Sequence, residues 1–168
     1  MSRTTAQEIQ LVPLDLPNLR HLAAVEPLDF PVLLADGALP PADVASRVLK
    51  QLENGIPAFW CVPLLIIEPA SGKILGGCGF KGLPINGSVE IGYGVASSER
   101  SRGIATAAIG ELLKLALTTG IVQQVVALIV PDNLASSSVV AKLGFTRGHS
   151  LVDSDGEWVV QWVREIAA

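Results

Sequence analysis

The chain has 168 residues, of which 49% are hydrophobic and 17% charged, so it can bury a core and lies outside the disordered and highly charged classes of protein. Twelve basic and 16 acidic residues give a formal net charge of -4, the wrong sign for a surface that binds nucleic acid. We therefore expect one folded domain over residues 1–168 without a nucleic-acid partner.

The most apolar stretch of the chain does not predict a membrane span. Residues 56–67 are interrupted by Pro57 and Pro63 and fall short of the roughly 18 residues that a spanning helix needs. The N-terminal segment lacks the apolar run of a secretory signal. These features predict a cytoplasmic protein that is not associated with a membrane.

Cysteine and histidine are too sparse to predict a disulfide framework or a metal site. Cys61 and Cys78 lie in strand-like segments without a CxxC spacing, which indicates two buried thiols. His21 and His149 are far apart and have no neighbouring ligands at metal-binding spacing. We therefore expect no metal.

The N-terminal half of the chain shows one strand and two helices. Residues 9–14 alternate in polarity as a strand does, and residues 15–25 carry apolar side chains at helical spacing. A second helix fits residues 41–52, because a proline stands near its start and Asn-Gly follows its end.

The middle of the chain predicts an antiparallel meander followed by a long helix. Three strands, over residues 58–67, 74–80 and 89–95, are joined by two turn-rich segments. Residues 102–118 then carry two adjacent apolar rows at helical spacing, and Gly120 follows as a stop signal. This segment has the strongest helical pattern in the sequence.

The C-terminal part completes an α/β pattern. Residues 124–130 are apolar and β-branched, as in a strand buried on both faces, and residues 134–143 form a short helix. Two last strands, over residues 145–152 and 158–164, are joined by a hairpin signal, Asp-Gly. The order predicts a mixed, mostly antiparallel twisted sheet of about seven strands flanked by about four helices.

The segment that indicates chemistry is EIGYGVASSERSRGIATAAI, residues 90–109, in which a strand leads through a Ser/Arg/Gly loop directly into the strong helix. Backbone N–H groups at a helix start point at an anion, and the helix dipole favours negative charge there. Gly103 lets phosphate oxygens approach the backbone, while Arg100 and Arg102 add charged donors. We expect this loop to bind a pyrophosphate.

Two segments carry a resemblance to a known family. Arg100-Ser-Arg-Gly-Ile-Ala105 resembles the Arg/Gln-x-x-Gly-x-Gly/Ala pyrophosphate loop of the GNAT N-acetyltransferases. VPDNLASSSVVAKLGF, residues 130–145, is similar to the Asn-x-x-Ser…Lys-Leu-Gly-Phe run in the branch that contains the ribosomal-protein N-terminal acetyltransferases. The resemblance extends over residues 8–165 and implies the GNAT fold. It also implies transfer of an acetyl group from acetyl-CoA to a small-molecule amine or a protein N-terminal α-amine.

The resemblance further implies where acetyl-CoA binds. The acyl-pantetheine arm enters a gap between the strand before the loop and the strand after the helix, where backbone groups of Tyr93, Gly94 and Val95 bind it. Gly92 and Gly94 either permit a bulge at this gap or mark a bend. The remaining candidates for binding acetyl-CoA are Arg100, Ser101, Arg102, Gly103, Ile104, Ala105, Thr106, Asn133, Ser136 and Ser137.

Two side chains are candidates for catalysis by the same resemblance. Glu90 is the candidate general base, because an ammonium must lose a proton before its nitrogen attacks the thioester; a structural carboxylate is the alternative. Many family members present a tyrosine from the helix at residues 134–143 to the departing thiolate, but Tyr93 is the only tyrosine here. Ser136 is the candidate substitute. Direct attack by the amine is expected, since Cys78 has no histidine partner for a covalent acyl-enzyme.

Two other functions stay open at the level of sequence. One is an acyl-CoA-binding sensor of the same fold without an acceptor site. The other is a different nucleotide-binding α/β domain, although the loop matches neither GxGxxG nor GxxxxGK[ST]. The acceptor amine depends on residues 27–41, residues 81–87 and the final hairpin, where variation concentrates. The apolar composition is compatible with a homodimer.

Overall fold

The computed structural model describes residues 8–29 and 33–166. Residues 30–32 of the predicted 27–41 loop and the two ends of the predicted 1–168 domain lie outside the described residues. The helices and strands follow the predicted order: β1 (Gln10–Pro13), α1 (Leu16–Ala23), α2 (Ala42–Glu53), β2 (Leu64–Ile67), β3 (Ile74–Phe80), β4 (Ser88–Val95), α3 (Ile104–Thr118), β5 (Gln124–Ile129), α4 (Leu134–Lys142), β6 (Thr146–Val152) and β7 (Trp158–Glu165). Short 3₁₀ helices occupy Ala58–Trp60 and Ser97–Glu99.

The described strands form one seven-stranded sheet in the order β1-β2-β3-β4-β5-β7-β6. Neighbouring strands are antiparallel except β4 and β5, which run parallel and are connected through α3. The mixed, mostly antiparallel fold with helices around it is therefore confirmed.

The parallel pair β4–β5 separates part of the way along its length. Ser88–Ile91 pairs with Gln124–Ala127, and no pairing follows. Beyond Ile91, β4 stays with β3 as far as Val95, while β5 stays with β7 as far as Ile129. This separation confirms the expected gap between the two strands.

Two apolar clusters place helices on both faces of the sheet. On one face, Ile109 and Leu112 of α3 and Val140 of α4 pack against the sheet. On the other, Leu19 of α1 and Val48 of α2 lie in a second cluster. The sheet is thus the middle layer, with α3 and α4 on one side and α1 and α2 on the other. No helix in the described ranges is long and apolar enough to cross a membrane.

The predicted strand over residues 58–67 is wrong in its first half. Ala58–Trp60 forms a 3₁₀ turn closed by the N–H of Cys61, which donates to the Ala58 carbonyl at 3.2 Å. Pro57 and Pro63 flank this stretch and have no N–H for a sheet ladder. The apolar side chains pack instead as a turn over β3, where the rings of Trp60 and Phe80 lie 5.2 Å apart.

The bulge considered at Gly92 and Gly94 is absent. β4 keeps an unbroken register with β3, in which glycines of the two strands face each other: Gly92 opposite Gly79 and Gly94 opposite Gly77. Register irregularities lie elsewhere in the sheet, between β2 and β3 at Ile66 and Ile67 and between β6 and β7 at Arg147 and Ser150. The gap next to β4 therefore arises because β5 departs from a regular β4.

Candidate active site

The loop between β4 and α3 presents unpaired backbone donors. Gly103 is the N-cap of α3 with φ 75°, a left-handed conformation that glycine adopts without strain. No side chain caps the helix and its first turn carries no acidic residue. The N–H groups of Ile104, Ala105 and Thr106 have no helical carbonyl to bind, and they donate to no other backbone carbonyl in the described chain. The positive end of α3 is therefore available to an anion.

A cavity of about 600 Å³ lies against this loop, and we call it the loop cavity. Its wall is formed by the end of β4, the loop, the start of α3 and the exposed side of α4. The structure brings together here most of the predicted binding residues: Tyr93, Gly94, Val95, Arg100, Ser101, Gly103, Ile104, Ala105, Thr106, Asn133 and Ser136.

The two arginines of the loop have different surroundings. Arg100 lines the loop cavity, donates from Nε to the Val95 carbonyl at 3.3 Å, and has no carboxylate partner among the described residues. Arg102 does not line the cavity; its guanidinium is ion-paired with Glu68 at 2.9 Å and also with Glu99. Of the two arginines of the loop, only Arg100 thus lines the cavity.

The start of α4 is capped by the predicted asparagine. The Asn133 side chain accepts a hydrogen bond from the Ser136 N–H at 3.1 Å, as an N-cap does. Ser137 does not line the cavity, and its hydroxyl donates to the Asn133 carbonyl at 3.0 Å. The Ser136 hydroxyl lines the cavity and has no hydrogen-bond partner in the described ranges. Ser136 is thus the predicted serine that can meet a ligand.

The Tyr93 side chain links β4 to α4 across the loop cavity. Its hydroxyl donates to the Ser136 carbonyl at 2.8 Å. Burial raises the pKa of the phenol to about 12, so the hydroxyl stays protonated over the ordinary pH range. Sequence reasoning expected only the backbone of this residue to matter. Tyr93 lies two residues from Ile91 and from Val95, and residues two apart in a strand share a face. This spacing could have placed its ring with these apolar side chains on the α3–α4 side.

A second cavity of about 510 Å³ lies on the α2 side of the sheet. Its floor is formed by four glycines of β3 and β4, and we call it the glycine cavity. The glycines are Gly77, Gly79, Gly92 and Gly94. The opposite wall is formed by α2 and the residues before it, with Asp43 and Arg47 as its charged side chains. Neither side chain has an ion-pair partner within the described chain.

The two cavities meet where β4 and β5 separate. Tyr93, Gly94, Val95 and Arg100 line both of them. A Cβ atom on Gly94 would find no heavy atom within 4 Å, so the space beside this residue is open. A ligand in the loop cavity and another in the glycine cavity can therefore make contact beside Gly94.

Glu90 lies outside both cavities. Its carboxylate is ion-paired with the Nζ atom of Lys81 at 2.9 Å. Four residues along a strand span about 13 Å, so Glu90 does not reach the space beside Gly94 directly. Glu90, Gly92 and Gly94 share one face of β4, however. The space beside Gly94 is open, whereas the aliphatic part of the Lys81 side chain lies against Gly92.

The sequence of residues 15–146 matches the profile of the acetyltransferase (GNAT) domain, and the match covers most of the chain. The chain belongs to the GNAT family of acetyltransferases. It is an N-acyltransferase with an acyl-CoA as co-substrate. The loop cavity of this GNAT domain fits that co-substrate, because its unpaired N–H groups and the Arg100 guanidinium, which has no carboxylate partner among the described residues, can bind a pyrophosphate. No curated protein sequence matches the chain significantly.

Solved acetyltransferase structures share the fold of this GNAT domain at low sequence identity. RimL, a ribosomal L7/L12 alpha-N-protein acetyltransferase in complex with coenzyme A, has a TM-score of 0.65 at 19% identity, with 94% of each chain covered. Mycobacterium smegmatis RimJ in complex with CoA-disulfide has a TM-score of 0.64 at 22% identity, covering 96% of this chain and 82% of RimJ. The microcin C7 self-immunity acetyltransferase MccE, in complex with acetyl-CoA and AMP, has a TM-score of 0.59 at 22% identity, covering 74% and 69%.

Several residues at the site of the GNAT domain were not anticipated from the sequence. Lys142 and Glu99 line the loop cavity, and Asp43, Arg47 and Asp155 line the glycine cavity. The Lys-Leu-Gly-Phe run begins at Lys142 and could have pointed to this residue, whereas the others become neighbours only through the tertiary fold. Among residues 8–29 and 33–166, no group of three or more His, Cys, Asp and Glu side chains is arranged to hold a metal ion.

Proposed function

We propose that the protein transfers the acetyl group of acetyl-CoA to a primary amine by direct attack, with the pyrophosphate in the loop cavity and the amine in the glycine cavity. The observation that carries this proposal is the junction of the two cavities beside Gly94, where β4 parts from β5. A reaction between two bound substrates needs such a meeting point.

The pyrophosphate is bound by backbone and arginine together in this proposal. The unpaired N–H groups of Ile104, Ala105 and Thr106 and the positive end of α3 face the phosphates, and the Arg100 guanidinium adds a charged donor. Acetyl-CoA supplies the activated thioester that is cleaved. Ser101 and Gly103, both at positive φ, give the loop the curvature that turns these groups towards the cavity.

A backbone donor at the end of β4 polarises the thioester carbonyl. The N–H of Ala96 donates to the Leu75 carbonyl of β3, at 2.9 Å. Because successive N–H groups of a strand alternate in direction, the N–H of Val95 points the other way, into the gap left by β5. A donor fixed at this place stabilises the negative charge that develops on the carbonyl oxygen.

Glu90 accepts the proton of the acceptor ammonium through water. The distance along β4 excludes direct transfer, so in this proposal a short water chain runs past the Lys81 side chain, which lies against Gly92, to the open space beside Gly94. Lys81, the ion-pair partner of Glu90, lines the glycine cavity and so connects the carboxylate to the acceptor side. The amine reaches the thioester in its neutral, nucleophilic form.

The Ser136 hydroxyl donates a hydrogen bond to the sulfur of CoA as it leaves. This hydroxyl has no hydrogen-bond partner among the described residues, and the Tyr93 hydroxyl fixes the position of Ser136 by binding its carbonyl. A thiolate is a good leaving group, so a hydrogen bond is sufficient assistance. Proton transfer to the sulfur can follow from solvent.

The acceptor is a small-molecule amine or a protein N-terminal α-amine. The likeness to RimL, an alpha-N-protein acetyltransferase, supports the second class. The glycine cavity, with the Asp43 carboxylate and the Arg47 guanidinium on α2, supports either class. This cavity also disfavours a non-catalytic sensor, which needs no space for an acceptor.

We further propose that the protein is cytoplasmic, where Cys61 and Cys78 stay reduced. A homodimer is also proposed.

The test is thiol release from acetyl-CoA with a panel of α-amines, polyamines and N-terminal peptides, for the wild type and Glu90→Gln. We expect turnover with at least one amine. We expect the variant to lose about 100-fold in kcat near neutral pH, and less at high pH where the amine loses its own proton. Glu111→Gln, an exposed glutamate on α3, is the matched control. Full turnover by Glu90→Gln at every pH would remove Glu90 from the mechanism, and binding of acetyl-CoA without turnover would favour the sensor.

A further inference from the structure

Four charged side chains connect the β4–α3 loop to the β2–β3 hairpin. Arg102 binds Glu68 at 2.9 Å and also binds Glu99. Glu99 in turn accepts from the Nζ atom of Lys73 at 2.8 Å. The loop contributes Arg102 and Glu99, and the hairpin contributes Glu68 and Lys73. We call these four residues the loop network.

The hairpin end of the loop network is itself held firmly. The N–H of Glu68 donates to the Lys73 carbonyl at 2.9 Å, and the N–H of Gly72 donates to the Glu68 carbonyl at 2.8 Å. The hydroxyl of Ser71 donates to the Glu68 carboxylate at 2.9 Å. Glu68 and Lys73 therefore provide fixed partners in the β2–β3 hairpin for Arg102 and Glu99 of the loop.

The loop end of the network lies between the two residues that shape the phosphate site. Ser101 has φ 66° and Gly103 has φ 75°, and Arg102 stands between them. A non-glycine residue in the left-handed region is strained and persists only where its surroundings hold it. Anchoring Arg102 to the hairpin holds Ser101 in this conformation, and thereby the direction of the N–H groups that follow.

The charges of the loop network also suit a neighbouring anion. Glu99 is nearly buried, at 7% exposure, and it lines the loop cavity, where an unpaired carboxylate would repel phosphate. Lys73 and Arg102 compensate this charge, and two cations against two carboxylates leave the network neutral. Hydrogen bonds from Lys73 and Arg102 lower the pKa of Glu99, and those from Arg102 and Ser71 lower the pKa of Glu68, so both stay ionised.

We propose that the loop network is a positioning device that holds the β4–α3 loop in its phosphate-binding shape before acetyl-CoA arrives. Arg102 acts through Glu68 and Glu99 and does not contact the pyrophosphate, which leaves Arg100 as the arginine that does. This inference rests on the proposed function of the loop cavity. It replaces the expectation that both arginines of the loop donate to phosphate.

The sign of one substitution separates positioning from direct contact. Glu68→Gln removes a negative charge near an anion site and frees Arg102 from one of its carboxylates. If Arg102 contacts phosphate, both effects strengthen the binding of acetyl-CoA. If the network positions the loop, the same substitution loosens the loop and weakens binding. We expect the dissociation constant to rise about three- to fivefold, the effect of losing one partly exposed ion pair.

The experiment is calorimetric titration of acetyl-CoA into the wild type, Glu68→Gln, Arg102→Lys and Glu111→Gln, with steady-state kinetics on each. Arg102→Lys keeps the charge but offers one nitrogen in place of the two that Arg102 gives to Glu99 and Glu68, so it too should bind several-fold more weakly. Glu111→Gln removes an exposed carboxylate paired with Lys114, away from the cavity, and should bind like the wild type. The KM for acetyl-CoA should rise in the two network variants while kcat and the KM for the amine stay unchanged.

Three outcomes overturn the inference. Tighter binding by Glu68→Gln would show direct phosphate contact by a released Arg102, and unchanged binding would show that the network does not shape the loop; both leave the proposed function intact. A wild type that does not bind acetyl-CoA would overturn the inference and the proposed function together.

Discussion

Gly76 of β3 gives a prediction that joins stability to activity, because an added side chain would meet the backbone of β4. A Cβ atom on Gly76 of β3 would lie 2.2 Å from the carbonyl oxygen of Gly94 and 2.9 Å from the Val95 Cα atom of β4. Carbon–oxygen contacts in sheets are about 3.3 Å or longer, so Gly76→Ala must push the two strands apart by about 1 Å. The obstacle is backbone and cannot rotate away, which places the cost near the upper end of overpacking, about 2–3 kcal/mol.

The assay is chemical and thermal unfolding of Gly76→Ala beside Gly110→Ala. Gly110 lies in the middle of α3 with no heavy atom within 4 Å of an added Cβ, so this control should stabilise the protein by about 0.5–1 kcal/mol. For a domain of this size, the expected loss in Gly76→Ala lowers Tm by about 4–12 °C. Because the displaced carbonyl lies where the two cavities meet, kcat should fall further than the folded fraction does.

A stability of Gly76→Ala within about 0.5 kcal/mol of the wild type would refute this reasoning, since a change of that size is typical of an unremarkable surface site. It would mean that β3 and β4 do not approach as closely as described. Lost stability with full kcat in the folded protein would instead disconnect Gly94 from the reaction.

Three further predictions follow from the site. The single tyrosine, Tyr93, should ionise with a midpoint at about pH 12, and the protein should lose stability as pH rises from about 10 to 12, because the unfolded chain ionises first; a midpoint near pH 10 would contradict its burial. Gly94→Leu should fill the junction of the cavities and lower kcat/KM about 100-fold without unfolding the protein; unchanged kinetics would exclude that junction. Burial raises the pKa of Cys61, and that of Cys78 to about 12, so neither thiol should react with a disulfide reagent at pH 8 until denaturant is added; rapid native labelling would contradict this.

Local signals in the sequence were sufficient for the phosphate loop and its helix. The left-handed N-cap is a glycine, and apolar residues recur every turn along α3, so neighbouring residues determine both features. The prediction of a strand at Ala58–Trp60 was wrong, because the apolar composition was given more weight than Pro57 and Pro63. A proline before and after a short apolar run removes ladder donors, and this should have favoured a turn.

The side-chain partners at the site depend on strand register and could not be predicted from the sequence. Arg102 meets Glu68, 34 residues away in sequence, and Tyr93 meets Ser136, 43 residues away. Whether Arg102 faces phosphate or a carboxylate is decided by the β2–β3 hairpin, which the loop motif does not contain. The pairing of Glu90 with Lys81 has the same origin, since it follows from the register of β3 and β4.

The most direct test of the account is calorimetric titration of acetyl-CoA into the wild type, Arg100→Gln and Lys114→Gln. The control removes one exposed cation of α3 that lines neither cavity. We predict micromolar binding by the wild type and the control, and binding at least about tenfold weaker in Arg100→Gln, the loss expected for a hydrogen bond to a charged group. Absence of binding by the wild type, or equal binding by all three proteins, would contradict the assignment of the loop cavity to acetyl-CoA.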